Sequence, residues 1–423
     1  MGALAIWACE GTVPPTSPGV PALDATLPTD QTPPPDAAWD APPPDPEPDG
    51  AAPDAGVPDA APDATPADAG PPVDPLGFTA AERALVAGLM GPVALAPDPT
   101  NRVADDPQAA ALGQALFFSD ALGPGDANCP FCHSPEPAFS GPLSYDQHGG
   151  LRFRNVPSLI NAAAQPWLFW DGRADTSWGQ VVTPFEDPEE MASDRVFIAR
   201  AVAADPALRG PYEALFGPLP AALEGTALPD RATPFPTAQP ELQAAWAALS
   251  AADQQALSEV LANVGKAIAA FQRTLVHTEG PFDRFARALM AGDPAAGALL
   301  SPQAVEGLRL FIGPAGCLAC HHGPTLSDGA FHNLGQAPFA RDAHPDGRAG
   351  AIPRLLASEF NAAGPYSDAP DGDHAARLAD LLLEDPGTPG RFKTPTLRNV
   401  ALTGPWLHDG RFHTLADVIR FKT

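Results

Sequence analysis

Apolar residues recur at helical spacing along much of the chain, and strict polar–apolar alternation is scarce, so the pattern predicts a mainly α protein. Thr79-Ala80-Ala81-Glu82 has the form of a capping box. It opens a short helix with Leu85, Val86 and Leu89 on one face. A second helix is predicted from Asp106 to Phe118, leading towards Cys129. Residues 134–190 are broken by Gly and Pro and read as irregular loops. From Glu241 to His277 the pattern turns strongly helical. Leu257, Leu261, Val264, Ile268, Phe271 and Leu275 recur every three or four residues, and Ser250 serves as a cap. A further helix, Gln303 to Phe311, precedes Cys317.

Composition changes this picture at the N-terminal end. Residues 11–80 hold 20 prolines and 12 Asp or Glu with no Lys or Arg. So few large apolar side chains cannot offset the ordering entropy, and residues 10–76 read as a disordered Pro/Asp/Ala-rich tether. Together with Glu10, residues 11–80 carry 13 of the 27 net negative charges. The other 14 lie on the remainder, which argues against nucleic acid as a partner and suits a basic electron-donor protein. Met1 to Cys9 is apolar, ends in a lone cysteine and lacks a basic n-region. It reads as the remnant of a lipoprotein signal with Cys9 as the lipidated residue. A misassigned start codon or an incidental cysteine is the alternative. No stretch is long enough to span a membrane as a helix.

Cys129-Pro130-Phe131-Cys132-His133 and Cys317-Leu318-Ala319-Cys320-His321 carry the clearest chemistry. Two thioether bonds to haem vinyl groups need cysteines three apart on one turn, and the adjacent His then reaches the iron. With ten histidines in 423 residues, one follows a given Cys-x-x-Cys by chance only about 2% of the time. A shared zinc site usually draws its two pairs from within about 20 residues, whereas these pairs stand 188 apart. A thioredoxin-like motif needs no following His. The reading is therefore two covalent haem c groups with His133 and His321 as proximal ligands, which implies an exported, oxidising compartment. A helix precedes each motif, so two related c-type cytochrome domains with long irregular loops are expected. Their bounds are placed at 77–290 and 291–423.

Several further motifs follow in order: Arg154-Asn155-Val156-Pro157, Phe169-Trp170-Asp171-Gly172-Arg173-Ala174, Pro188-Glu189-Glu190-Met191, Phe392 to Asn399, and His408-Asp409-Gly410-Arg411. On these, the chain from about residue 80 onwards resembles the bacterial di-haem cytochrome c peroxidases. It is also similar to the related di-haem enzymes that mature methylamine dehydrogenase. The resemblance implies that Trp170 assists electron transfer between the haems. Gln180 matches a distal-pocket glutamine and Glu190 the catalytic distal glutamate. A carboxylate above an open iron position can relay a proton from the near to the far peroxide oxygen. Glu189 reads as a solvated charge. His148 lies in the loop that carries a removable sixth ligand to the first haem in many of these peroxidases; an exposed loop histidine is the equal alternative. Asn155, Thr403 and Pro405 match an inter-domain Ca²⁺ site of one side-chain and two backbone oxygens. His408 matches a residue supporting the second haem. The remaining histidines (His322, His332, His344, His374 and His413) read as surface or loop residues.

The second haem's distal ligand should fall 17 residues beyond Pro405, at Lys422, and the given sequence stops one residue later. A sequence that continues further is the preferred reading. Lysine ligation, which requires a deprotonated amine, is the other. The function implied is peroxide reduction with electrons from a small cytochrome c or cupredoxin. Oxidation of a partner protein's Trp or Tyr is the alternative, supported by the likeness of Phe360 to Asp368 to the tryptophan-oxidising relatives. A non-catalytic di-haem electron carrier is the third reading. The resemblance also implies a periplasmic location, tethered if Cys9 is lipidated, and admits a homodimer.

Overall fold

The structure, a computed structural model, describes residues 76–136, 138–141, 154–225, 227–277, 279–338, 345–381 and 389–422. The tether, Cys9, His148 and His344 fall outside them. The order is α1 (Ala80–Gly88), α2 (Pro107–Phe117), the one-turn α3 (Cys129–Cys132), α4 (Ser177–Glu186), α5 (Arg195–Ala204), α6 (Pro206–Phe216) and α7 (Pro240–Ala247). There follow α8 (Ala251–Gln272), α9 (Pro281–Ala291), α10 (Pro302–Ile312), β1 (Phe331–Asn333), α11 (Arg348–Ala357), α12 (Asp373–Leu381), β2 (Arg391–Lys393) and α13 (Leu415–Lys422). The mainly α expectation holds, and the described residues fall in one compact unit. None of their helices is long and apolar enough to cross a membrane.

The expected starts form for the expected reasons. Thr79 and Glu82 complete the capping box of α1, Asp106 caps α2, and Ser250 caps α8. The loop reading of 134–190 missed α4. Thr176 starts it by accepting from the Gly179 amide at 3.0 Å. Pro184 sits near its end, where a missing N–H removes a single helical bond.

Among the described residues the two largest hydrophobic cores lie around the two haem motifs. The first is built on α8, buried along most of its length from Leu257 to Gln272, with α2, α4 and α5 packed on it. Gly113 permits the α2 contact, since a Cβ there would stand 1.9 Å from the Ala267 carbonyl oxygen. The second core joins Phe282, Phe285 and Leu289 of α9 to Leu308 and Phe311 of α10, with Leu326, Leu397 and Val400. Phe78, Val86 and Leu89 also bury there, so α1 precedes the first haem motif in sequence and packs in the core nearer the second. The segment around α11 and α12 reaches the first core. Phe360 packs inside it, the Ala362 amide donates to Asp175 at 3.0 Å, and Asp368 pairs with Lys266 at 2.7 Å. β1 and β2 pair antiparallel, Phe331 opposite Lys393 and Asn333 opposite Arg391.

The second core is pinned by Asp283. Its carboxylate accepts from the Gly91 and Gly280 amides, both at 2.8 Å, and from Arg398 at 2.5 Å. Burial pushes its pKa up, but the Arg398 hydrogen bond and charge prevail and hold it below the usual value. A depressed carboxyl contributes stability above its unfolded pKa and loses it as pH falls through the folded one. Asp283→Asn is therefore expected to lower stability at neutral pH and to flatten the acid limb of a stability–pH curve below about pH 4. Parallel acid limbs for variant and parent in denaturant titrations would count against this.

Candidate active site

Asn128 initiates α3, its Oδ1 accepting from the Phe131 amide at 2.9 Å while its Nδ2 donates to Asp120 at 2.6 Å. This one turn separates Cys129 and Cys132 by three residues, and the His133 amide closes on the Cys129 carbonyl at 2.9 Å. Ala138 and Phe139 then take left-handed conformations, with φ of 55° and 51°, and the Phe139 carbonyl lies 3.1 Å from His133 Nδ1. A carbonyl only accepts, so Nδ1 carries the proton and Nε2 keeps its lone pair for a metal. Burial pulls the ring's pKa down to about 4, which keeps it neutral.

The second motif repeats the construction. The His321 amide bonds the Cys317 carbonyl at 2.9 Å, Leu326 has φ 53°, and its carbonyl lies 2.9 Å from His321 Nδ1. Burial again holds the imidazole below its ordinary pKa. All four motif cysteines are free of disulfides, and burial pushes the Cys129 thiol up to about 12. Free thiols three apart, beside a His with an available Nε2, fit covalent haem c at both places. The two Cys-x-x-Cys pairs do not converge on one metal. Among the described residues, the only cluster close enough to share an ion is Cys320, Asp328 and His332. His332 bonds Asp328 at 2.8 Å, while His322 and His413 are exposed, as expected of surface histidines.

Gln180 lies half-buried on α4 and Glu190 half-buried in the turn that follows it. That turn is pinned by backbone bonds: Glu190 N to Asp187 O at 2.9 Å, Met191 N to Pro184 O at 3.1 Å, and Ser193 N to Phe185 O at 2.8 Å. Met191 buries in the first core, against which Cys129 packs, so the turn carrying Glu190 and the first motif share one core. Glu189 is exposed, as a solvated charge should be.

Trp170, Asn155, Pro405 and His408 come together. Trp170 Nε1 donates to the Asn155 carbonyl at 2.8 Å, and the Asn155 amide donates to the His408 carbonyl at 2.8 Å. Asn155 Nδ2 stands 2.5 Å from the Pro405 carbonyl oxygen, while its buried Oδ1 has no hydrogen-bond partner. Rotating the amide by 180° would set two oxygens side by side, the arrangement of a hard-cation site. The donors present therefore fit Ca²⁺. His408 is buried and stacks on Phe392, ring centroids 3.7 Å apart, with the Arg154 guanidinium 4.6 Å from the other ring's centroid. Lys422 ends α13, and its charge acts on both Cys320 and His321. Burial lowers its pKa.

Sequence reasoning gave Lys393 no role, although it lies inside a quoted motif. Its amide donates to the Trp170 carbonyl at 2.8 Å and its Nζ to the Trp167 carbonyl at 2.7 Å. Burial pulls its pKa down to about 8, against the charge of Asp171, leaving a cation at neutral pH. The signal that marks it is a repeat at long range.

A mainly helical chain with two matching Cys-x-x-Cys-His sites, each holding its imidazole neutral for a metal, defines a two-centre c-type cytochrome. Comparison with known proteins narrows the class. The family model of di-haem cytochrome c peroxidases matches residues 107–290. The cytochrome-c peroxidase IdrP1 of Denitromonas iodatirespirans is 31% identical over 343 residues, covering 78% of this chain and 76% of that protein. The methylamine utilization protein MauG of Methylorubrum extorquens is 30% identical over 316 residues, covering 74% and 68%. The diheme peroxidase BthA of Burkholderia thailandensis shares the fold, with a TM-score of 0.53, 22% identity, and coverage of 75% of this chain and 71% of that one. The chain belongs to the di-haem cytochrome c peroxidase family. Membership implies two haem c groups.

Proposed function

We propose that this protein reduces hydrogen peroxide to water at the haem held by Cys129, Cys132 and His133. The observation that carries the reading is Glu190, a half-buried carboxylate on a turn locked to the core that Cys129 also touches. An electron carrier has no use for such a group. When bound, the haem iron supplies electrons and an open coordination position. Glu190 takes a proton from the nearer peroxide oxygen and returns it to the farther one, and two electrons and two further protons complete two waters. Gln180 orients the peroxide from α4, and His133 Nδ1–H, tied to Phe139, keeps the proximal nitrogen available. Cys317, Cys320 and His321 would hold the second haem, which would supply the entry point for electrons from a small cytochrome c or cupredoxin, and Trp170 would lie on the route between the two. In this reading the peroxidatic domain is built on the first core and the electron-entry domain on the second, which also takes α1 and α9 from within the expected 77–290. A periplasmic location, with a lipid anchor at Cys9, completes the proposal.

Ca²⁺ held by Asn155 Oδ1 and the Thr403 and Pro405 carbonyls would fix the Asn155–His408 and Asn155–Trp170 contacts. Chelation of the haem-loaded protein is expected to slow donor-driven turnover about tenfold or more, with recovery on adding Ca²⁺. Unchanged turnover after verified metal removal would remove the ion from this role.

A second reading, oxidation of a partner protein's Trp or Tyr, is supported by the likeness to MauG and by the Phe360 to Asp368 segment. Rapid peroxide-driven oxidation of a reduced donor cytochrome favours the first reading. Peroxide consumption that no donor cytochrome or cupredoxin accelerates favours the second.

A further inference from the structure

The segment from Arg154 to Gly179 recurs, 238 residues later, from Phe392 to Asp417. Pro157, Leu159, Asn161, Asp171, Gly172, Arg173 and Thr176 reappear as Pro395, Leu397, Asn399, Asp409, Gly410, Arg411 and Thr414. The backbone follows the same offset. Asn161 and Asn399 are left-handed, with φ of 61° and 60°, and each opens a short 3₁₀ turn. Phe169 and Leu407 are left-handed at 61° and 69°, inside the matched bridges Leu168–Ala174 and Trp406–Phe412. Thr176 caps Gly179 as Thr414 caps Asp417.

The two copies bond to each other reciprocally. The Asn155 amide donates to the His408 carbonyl, and the Lys393 amide to the Trp170 carbonyl, both at 2.8 Å. At the offset, Asn155 corresponds to Lys393 and His408 to Trp170. The side chains obey the same exchange: Asn155 reaches the Pro405 carbonyl, and Lys393 Nζ reaches the carbonyl of Trp167, the counterpart of Pro405. One copy thus presents a neutral amide with an unpartnered buried oxygen, while the other presents a charged amine.

We infer that Lys393 is a built-in cation, doing for the Trp167–Trp170 hairpin what a bound divalent cation does for the Pro405–His408 hairpin. Each half of the repeat needs positive charge against the inward-turned carbonyls of the other. One half takes it from solution and the other carries it covalently. Lys393 is thereby a positioning residue for Trp170. The inference rests on the Ca²⁺ reading of Asn155.

Exchanging the two residues tests it, with Ca²⁺ stoichiometry measured by equilibrium dialysis on the haem-loaded full chain. The parent is expected to bind one Ca²⁺, Lys393→Met one, and Lys393→Asn two. Asn155→Lys is expected to bind none and to keep an absorption spectrum that chelator does not alter. One Ca²⁺ in Lys393→Asn with haem retained overturns the equivalence. If that variant loses haem, Asn155→Lys decides: Ca²⁺ still bound, or a spectrum still sensitive to chelator, overturns it equally. A parent that binds no Ca²⁺ removes the Asn155 reading and the inference together.

Discussion

Glu190→Gln should lower kcat/KM for hydrogen peroxide by about 10²–10⁴ while leaving both haem spectra in place, because only the proton relay is lost. Gln keeps the shape and a hydrogen-bonding oxygen but has no exchangeable carboxyl proton. The turn that carries it is fixed by backbone bonds from Glu190, Met191 and Ser193 to Asp187, Pro184 and Phe185, so the substitution leaves the scaffold intact. Glu189→Gln, on the exposed neighbour, is the matched control and should change turnover less than about twofold. Steady-state peroxide consumption at several pH values separates the two. Equal rates for Glu190→Gln and the parent would take Glu190 out of the reaction.

The largest stability effect is expected at Arg195. Its guanidinium is buried, bonds both carboxylate oxygens of Glu186 at 3.0 and 3.2 Å and Ser258 at 2.5 Å, and pairs with Glu359 at 2.8 Å. It also stands 5.0 Å from the ring centroids of both Trp246 and Phe360. Glu186 is itself only 3% exposed and otherwise accepts from Thr233. Arg195→Met would strand a buried carboxylate, at a cost of about 3–5 kcal/mol, or a fall in Tm of about 5 °C for a folded unit of this size. Adding Glu186→Gln should recover part of that loss, because the stranded charge rather than the lost contact dominates. Thermal unfolding of the single and double variants decides the point. A double variant no more stable than Arg195→Met would show that packing, not charge, sets the cost.

The helices that were legible in the sequence are those with unbroken periodicity and a side-chain cap. Ser250 and the Leu257 to Phe271 face announced α8, Thr79 and Glu82 announced α1, and Asp106 announced α2. α4 was hidden by Gly179 and Pro184, which weaken a helix on propensity but are tolerated here by the Thr176 cap and by burial of Trp178, Val182 and Phe185. The haem motifs were fully legible, because attachment needs contiguous residues. The carbonyls that set the His133 and His321 tautomers were not, since they depend on left-handed turns at Phe139 and Leu326, residue types that rarely take them. Asn155 and Pro405 lie 250 positions apart and meet only in the folded chain. Family resemblance, not spacing, paired those two, and Lys393 had no such guide. Its partner carbonyls belong to the other copy of a repeat whose sequence identity is faint and whose backbone correspondence is close.

The proposed function makes the two haem sites unequal, with peroxide reacting at the His133 site and the His321 site passing electrons to it. Stopped-flow absorption of the haem-loaded full chain tests this most directly, mixing the reduced protein first with peroxide alone and then with peroxide and a reduced donor cytochrome. A fast spectral change is expected on peroxide addition, abolished or slowed at least about 100-fold in Glu190→Gln. Catalytic oxidation of the donor should follow, and should be lost when Cys317 and Cys320 are both replaced by Ser. No spectral change with peroxide, or donor oxidation indifferent to both sets of substitutions, would contradict it.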